Sequence, residues 1–247
     1  MGWFLLFGAV AVAAVVAASI RARAGSARQR ALLQLCADAG LTCSVLDPFP
    51  DTTLMPFRVF GWGGSYGVEN VVWDASDEPA IRVFDLWVQP QPDESRPTMT
   101  CGIVPLSFAV PQIAILTKGQ VDPSGEPVVG DVVHLELDAF EQRFEVRAVD
   151  PRAAVALLDQ RIMASLLRLP MNVTIHVHED AMLVVSPMLE PGEMLVLLAC
   201  AKGLADQVPP VVASLYPPRP TKGPYEHRWL QGSWSSDPTS ADASEPG

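Results

Sequence analysis

QRFEVRAVDPRAAVALLDQRIMASLLRLPMNVTIHVHEDAMLVVSPMLEPGEMLVLLACAKGLADQ, residues 142–207, is the stretch in which the order of strands and helices is easiest to read. Gln142–Val149 alternates polar and apolar side chains, which predicts a strand. Asp150 and Pro151 then predict a helix start, because an acidic N-cap followed by proline is typical of the first helical turn. Apolar residues at three- and four-residue spacing continue this helix to about Leu169.

The second half of the stretch predicts a hairpin and a last helix. Asn172–His178 and Met182–Ser186 are extended runs, and Glu179-Asp180 between them predicts the turn. Pro191–Gln207 predicts the final helix. The order β-α-β-β-α can fold as a sheet with both helices on one face. The predicted fold class is therefore α+β, with a mainly antiparallel sheet and two helices after an N-terminal membrane span and a stalk helix.

Towards the N-terminus, β-branched and aromatic residues are dense in several extended runs, which favours strands. These runs are Leu41–Leu46, Gly67–Asp74, Ala80–Gln89, Thr98–Phe108 and Gln112–Thr117. The glycines at positions 61, 63, 64 and 67 fit a turn between strands, because neither nucleotide-binding fingerprint is completed around them. Lys118–Asp131 is rich in glycine and proline and predicts a loop.

The chain begins with an uncharged apolar run, Trp3–Ile20, of eighteen residues. A helix of that length spans roughly 27 Å, close to the thickness of a bilayer core. Four arginines follow it, and by the positive-inside rule they predict that the C-terminal body is cytoplasmic: Arg21, Arg23, Arg28 and Arg30. A cleaved signal peptide is the rival interpretation, but the run is longer than a signal core and its arginines come after it.

These boundaries divide the chain into four parts. Residues 1–20 are the predicted transmembrane anchor, and residues 21–40 the basic juxtamembrane stalk helix, which Gly40 would end. Residues 41–212 form the predicted soluble α+β domain. Residues 213–247 are rich in Pro, Ser, Asp and Gly and predict a disordered tail, in which Trp229 and Trp234 could dock as a short motif.

The charge of the body excludes one class of partner. Beyond residue 30 the chain carries 13 basic and 28 acidic residues, a formal charge of −15. Such a body is a poor nucleic-acid binder and is repelled by an anionic leaflet, whereas the arginine cluster is attracted to it. The four cysteines form no CxxC pair, which favours buried, reduced thiols; two disulfides would require the opposite topology.

The order of segments resembles a family of bacterial single-pass membrane-anchored proteins of unknown function. The markers are the apolar span, the basic stalk, a glycine-rich turn after Phe57-Arg58, and an extended run with the Phe84-Asp85 pair. A Pro-Leu step at Pro105-Leu106 and the Phe140–Asp150 segment that leads into a helix complete them. The resemblance covers roughly residues 3–212. It implies the layout and supplies no active site.

One motif could carry chemistry. His176, His178 and Asp180 match H-x-H-x-D, which resembles the first metal motif of the metallo-β-lactamase fold, and alternate strand residues share a face. However, position 181 is alanine and further ligands do not follow, so two histidines on a hairpin surface are the favoured interpretation. We therefore predict no catalytic residue, no cofactor and no metal site, with these three residues as the weak metal candidates.

The functional prediction follows from placement rather than from a site. We expect a single-pass protein of the bacterial cell membrane that acts as a membrane-tethered interaction or regulatory module without catalytic activity. It would contact the bilayer through residues 3–20 and an unidentified protein through its body. The alternative is a metal-dependent hydrolase that uses His176, His178 and Asp180.

Overall fold

The computed structural model describes residues 25, 27–60, 65–77, 80–89 and 97–217. Seven strands form one sheet in which every pairing is antiparallel. Their order is β1-β2-β3-β4-β6-β5, and β7 also pairs with β4. The strands are β1 (Thr42–Leu46), β2 (Ser65–Trp73), β3 (Arg82–Gln89), β4 (Thr98–Thr117), β5 (Asp131–Val132), β6 (Phe144–Ala148) and β7 (Thr174–Pro187).

The α-helices contribute to one core on one face of this sheet. They are α1 (27–39), α2 (Asp138–Arg143), α3 (Pro151–Leu157), α4 (Gln160–Leu167), α5 (Pro191–Gln207) and α6 (Pro210–Leu215). Each supplies at least one buried side chain to that core, among them Leu32, Phe140, Leu157, Leu166, Leu198 and Val212. The predicted α+β class with a mainly antiparallel sheet is confirmed.

The other face of the sheet is covered by irregular chain. The segment with the 3₁₀ turns Thr52–Leu54 and Arg58–Phe60 buries Phe57 and Val59 against Phe84 of β3 and its neighbours. Arg82 at the start of β3 holds this segment: it is 2% exposed, donates to Thr52 and Asp51, and stacks over the Phe49 ring. A second, smaller core results.

Two long strands replace shorter predicted ones. The two strands predicted at Thr98–Phe108 and Gln112–Thr117 are one continuous strand, β4. The hairpin predicted across Glu179-Asp180 is also wrong, because those residues lie inside one continuous strand, β7. The two long strands pair with each other from Met99–Pro187 at one end to Ile115–Ile175 at the other.

A bulge lets both strands continue through residues that predict breaks. The register between β4 and β7 shifts between Pro105 and Val110 and again before Ile113, so β4 carries extra residues opposite β7. Proline lacks an N–H donor and is tolerated in strands at bulges, which accommodates Pro105 and Pro111. Glu179 has a left-handed φ of 57° at the same place. The Glu179-Asp180 pair therefore marks a kink within β7 and not a hairpin turn.

The helical elements also differ from the prediction in number. The helix expected from Pro151 to about Leu169 is divided into α3 and α4, because Asp159 caps a new helix by accepting from the N–H groups of Arg161 and Ile162. The short helices α2 and α6 were not predicted. Helix α6 extends to Leu215, past the predicted start of the tail at residue 213.

The predicted anchor falls outside the part of the chain that the structure describes. Residues 1–24 are not among the described residues, and neither are residues 218–247. Within the described residues, no helix combines the length and apolar character needed to cross a bilayer. The stalk helix does fall mostly inside the described part, and α1 covers its residues 27–39.

Two glycines with left-handed backbone provide a matched test of the sheet edge. Gly119 (φ 75°) has open space where a Cβ would stand, whereas a Cβ at Gly130 (φ 86°) would collide with the backbone of Ala148 in β6. We expect Gly119→Ala to lower the free energy of unfolding by about 1–2 kcal/mol through backbone strain alone. Gly130→Ala should cost about 1–3 kcal/mol more through the added clash.

Urea unfolding of the two variants beside the wild type measures the difference. Equal losses in the two variants would contradict the close packing of Gly130 against β6. Gly192→Ala, in helix α5 with open space around it, serves as the control and should be neutral or stabilising.

Candidate functional site

The strongest polar arrangement in the described chain joins the stalk helix to the sheet. Arg28 of α1 donates from Nε and Nη2 to the two carboxylate oxygens of Asp85 in β3, both at 2.9 Å. The side chains are only 12% and 5% exposed. A bidentate guanidinium–carboxylate pair is the strongest charge-assisted geometry available to proteins. It fixes α1 against the middle of the sheet.

Asp85 accepts two further hydrogen bonds from neighbouring strands. Asn70 Nδ2 of β2 donates at 2.8 Å, and Thr100 Oγ1 of β4 donates at 3.1 Å. We call Arg28, Asn70, Asp85 and Thr100 the Asp85 network. A buried carboxylate is tolerated when its oxygens are paired and hydrogen-bonded in this way.

The local backbone is shaped to build this network. Asn70 has a φ of 55°, and the register of β2 against β3 shifts between Glu69 and Val72. Thr100 Oγ1 also accepts from the backbone N–H of Leu189, just before helix α5. The network therefore links α1, three strands and the start of α5.

Chemically, this arrangement is a structural connection. The described contacts of Asp85 are donors from its own fold, and Nη2 of Arg28 also donates to Met194 Sδ at 3.2 Å. Sequence reasoning missed this role of Asp85. The available signal is an acid inside the run Arg82–Gln89, whose neighbours are buried on both faces of the sheet.

The four predicted membrane-flanking arginines do not share one environment. Arg28 lies in the folded body, where its guanidinium pairs with the buried carboxylate of Asp85. The membrane-flanking assignment of the four arginines stays a prediction. Arg30 is exposed. Arg21 and Arg23 lie outside the described residues.

The weak metal candidates are separated by their environments. His176 is 1% exposed and its Nε2 lies 2.7 Å from Oδ2 of Asp122, in the loop before β5. His178 is 37% exposed at its side chain, with Nε2 3.8 Å from a Glu179 oxygen. Asp180 lies in the bulged part of β7. Among the described residues, no group of three or more His, Cys, Asp or Glu side chains is placed to hold a metal ion.

Asp122, the loop partner of His176, and Glu126 form a small acidic cluster that is largely buried. Asp122 also accepts from Ser124, and Glu126 accepts from the backbone N–H of Val59. Burial opposes ionisation of Asp122, but the hydrogen bonds from His176 and Ser124 outweigh it, so the pKa of Asp122 is lowered. At Glu126 burial dominates, and the pKa of that carboxyl is raised. The cluster attaches the loop to β7 and to the irregular segment.

The four cysteines are all free thiols. Cys36 and Cys101 are buried, whereas Cys43 and Cys200 are half-buried. Burial raises the pKa of Cys36 to about 12, and burial also raises the pKa values of Cys101 and Cys200. Because the thiolate is the nucleophile, a raised pKa lowers the fraction of the reactive form of these three thiols at neutral pH.

The Asp85 network predicts a large stability effect. Arg28→Met leaves the Asp85 carboxylate buried without its cation, and removing one partner of a buried pair costs about 3–5 kcal/mol. Arg152→Met removes a cation that is 86% exposed, so this control should cost at most about 1 kcal/mol. Chemical unfolding of both variants measures the difference. Similar small losses in both variants would contradict the role of the Arg28–Asp85 pair in stabilising the fold.

The acidic cluster predicts stability changes of opposite sign. Glu126→Gln should stabilise the protein at about pH 7, because the raised pKa means that the fold disfavours the charged form; the gain should vanish towards pH 4, where Glu126 is protonated in both states. Asp122→Asn should destabilise by about 1–3 kcal/mol at pH 7, and because the folded-state pKa of Asp122 is lowered, this loss should persist to about pH 4 and shrink only as pH falls below the ordinary aspartate pKa. Thermal unfolding at about pH 7, pH 4 and pH 2 measures both effects. A stabilising Asp122→Asn would contradict the assignment.

Comparison with known proteins yields one relationship of fold. No family model and no curated protein matches the chain. The fold is similar to the crystal structure of the mycobacterial trehalose monomycolate transport factor A, TtfA, with a TM-score of 0.52 and 16% sequence identity. The match covers 78% of this chain and 98% of that chain. At this identity the likeness shows a shared α+β fold.

Proposed function

We propose that this chain is a membrane-tethered module without catalytic activity, which holds a folded α+β body beside the bilayer and presents it to a protein partner. Its anchor is the span 3–20, and its body faces the cytoplasm. We further propose that it belongs with the bacterial single-pass proteins that its segment order resembles.

The observation that carries this proposal is the attachment of α1 to the sheet. A helix that merely linked an anchor to a domain would need no buried ion pair with it. Here Arg28, the third of the four arginines that follow the span, is bonded to Asp85, so the folded body begins within the arginine cluster itself. The segment after the anchor is part of the folded unit.

This attachment limits how far the body can move from the membrane. Residues 21–27 are the seven residues between the span and Arg28. Seven residues reach at most about 25 Å when fully extended. The body, which is strongly acidic, is thus kept close to a leaflet that would otherwise repel it. Such a tether supports a fixed presentation of one body surface to neighbours in the membrane.

The similar fold adds support of a general kind. TtfA is described as a mycobacterial trehalose monomycolate transport factor. By analogy, we propose that this chain also serves a membrane transport process by contacting a protein component of it. Among the described residues, no three His, Cys, Asp or Glu side chains are placed to hold the metal ion that the hydrolase alternative would use.

The tether can be tested by placing charge in the predicted span. Val12→Arg combined with Val15→Arg should move the full chain from the membrane fraction to the soluble fraction, because each central arginine costs about 2.5–3.5 kcal/mol on insertion. Val12→Leu combined with Val15→Leu should leave the protein in the membrane fraction. Fractionation of cells that express each variant measures the shift. Membrane retention of the arginine variant would contradict the anchor.

The partner is tested in the same cells. Chemical crosslinking of the wild-type chain in cells, followed by mass spectrometry, should recover a membrane protein that the arginine variant does not recover. Purified full-length protein that turns over a substrate, or that contains a stoichiometric transition metal by elemental analysis, would contradict the proposal and favour the hydrolase.

A further inference from the structure

A groove on the helix side of the sheet has no described occupant. It lies between the middle of β4 and the junction of α5 with α6, and its volume is about 350 Å³. Most of its lining is apolar: Leu106, Phe108, Ala205, Val208, Pro209 and Ala213. Pockets of this size and character are typical of binding sites for apolar groups.

One wall of the groove is a gap in the sheet. β3 pairs with β4 only as far as Ile103, and β6 pairs with it only from Ile113. Residues 106–109 have no register partner in β3 or β6, and they lie in the bulge where the register with β7 shifts. A strand edge that no neighbouring strand covers is a template for an added extended segment.

Exposed apolar side chains continue the groove along α6. Val211 is 50% exposed and Leu215 is 55% exposed, although the same short helix buries Val212. Pro210 and Ala213 of helix α6 help to line the groove. The exposed side chains of the same helix therefore form an apolar surface beside it. The surface and the gap together fit an extended segment with large apolar side chains.

We propose that the C-terminal segment 223–234 of this same chain, GPYEHRWLQGSW, occupies the groove. The chain leaves the described part at Pro217, directly after the helix that lines the groove. Twelve further residues reach Trp229, a length of up to about 40 Å, which is ample for the chain to turn back. Docking within one chain needs little intrinsic affinity, because the effective concentration of a linked segment is in the millimolar range.

The composition of the segment fits the site. Tyr225, Trp229, Leu230 and Trp234 supply the large apolar side chains, and each buried aromatic ring covers about 150–250 Å². Segment 223–234 is formally neutral, with Glu226 and Arg228, and the residues that lead to it add Arg219 and Lys222. Residues 31–217 carry ten basic and twenty-four acidic residues, and the exposed Asp206 lies on α5 between lining residues Ala205 and Val208. The basic residues that lead to the segment are therefore attracted to the acidic body, and the segment itself meets no net repulsion.

Photo-crosslinking within the full-length chain tests this placement. Ser107, which is exposed and lines the groove, is replaced by the photo-crosslinking residue p-benzoylphenylalanine. After irradiation, mass spectrometry should find crosslinks to peptides from residues 223–234. The matched control places the same residue at Val121, which is 90% exposed in the loop before β5 and does not line the groove, and it should give no such crosslink.

The origin of the crosslinked segment is resolved by isotope labelling. In an equal mixture of nitrogen-14 and nitrogen-15 protein, crosslinks within single-isotope chains support the proposal. Crosslinks between the two isotopes, crosslinks to another protein, or none to residues 223–234 overturn it.

Hydrogen exchange gives an independent readout in the intact protein. Trp229→Ser combined with Trp234→Ser should speed the exchange of the backbone amides at residues 106–109 by about tenfold, because the covering segment loses its aromatic anchors. These substitutions lie outside the described fold, so amides of the central strand β3 should be unaffected. Unchanged exchange at residues 106–109 would overturn the proposal.

Discussion

The carboxylate of Asp85 is the group on which the arrangement of this molecule most depends. It accepts from Arg28, Asn70 and Thr100, so one ion connects a helix and two flanking strands to the strand that carries it. A buried carboxylate is costly unless its partners are in place, and each partner lies on a different element. The native positions of α1, β2, β3 and β4 are therefore mutually dependent.

The fold class could be predicted from sequence because binary patterning is local, but the lengths of β4 and β7 could not. Pro111 and the Glu179-Asp180 pair carry the ordinary signals of a break. In the structure those signals coincide with a bulge, where a missing N–H donor and a left-handed residue are useful. The division of the predicted helix at Asp159 could not be predicted either, because the apolar spacing continues across the residue that caps the second helix.

The candidate site was harder to predict, because its contacts join distant positions. Arg28 and Asp85 are 57 residues apart, and His176 and Asp122 are 54 apart. The sequence motif around His176 suggested a metal site because alternate strand residues share a face. Burial of His176 against a loop acid instead gives it a packing role, while His178 is more exposed. A motif read in one strand cannot include a partner supplied by a remote loop.

The long pairing of β4 with β7 also governs when the body can fold during synthesis. Met99 must find Pro187, so the central ladder stays open until the ribosome has made most of the body. Such non-local pairing is slow, and open strand edges are prone to wrong association in the meantime. The order of synthesis therefore matters: residues 1–30 emerge first, and the nascent chain waits with α1 already made and the strands that bind it incomplete.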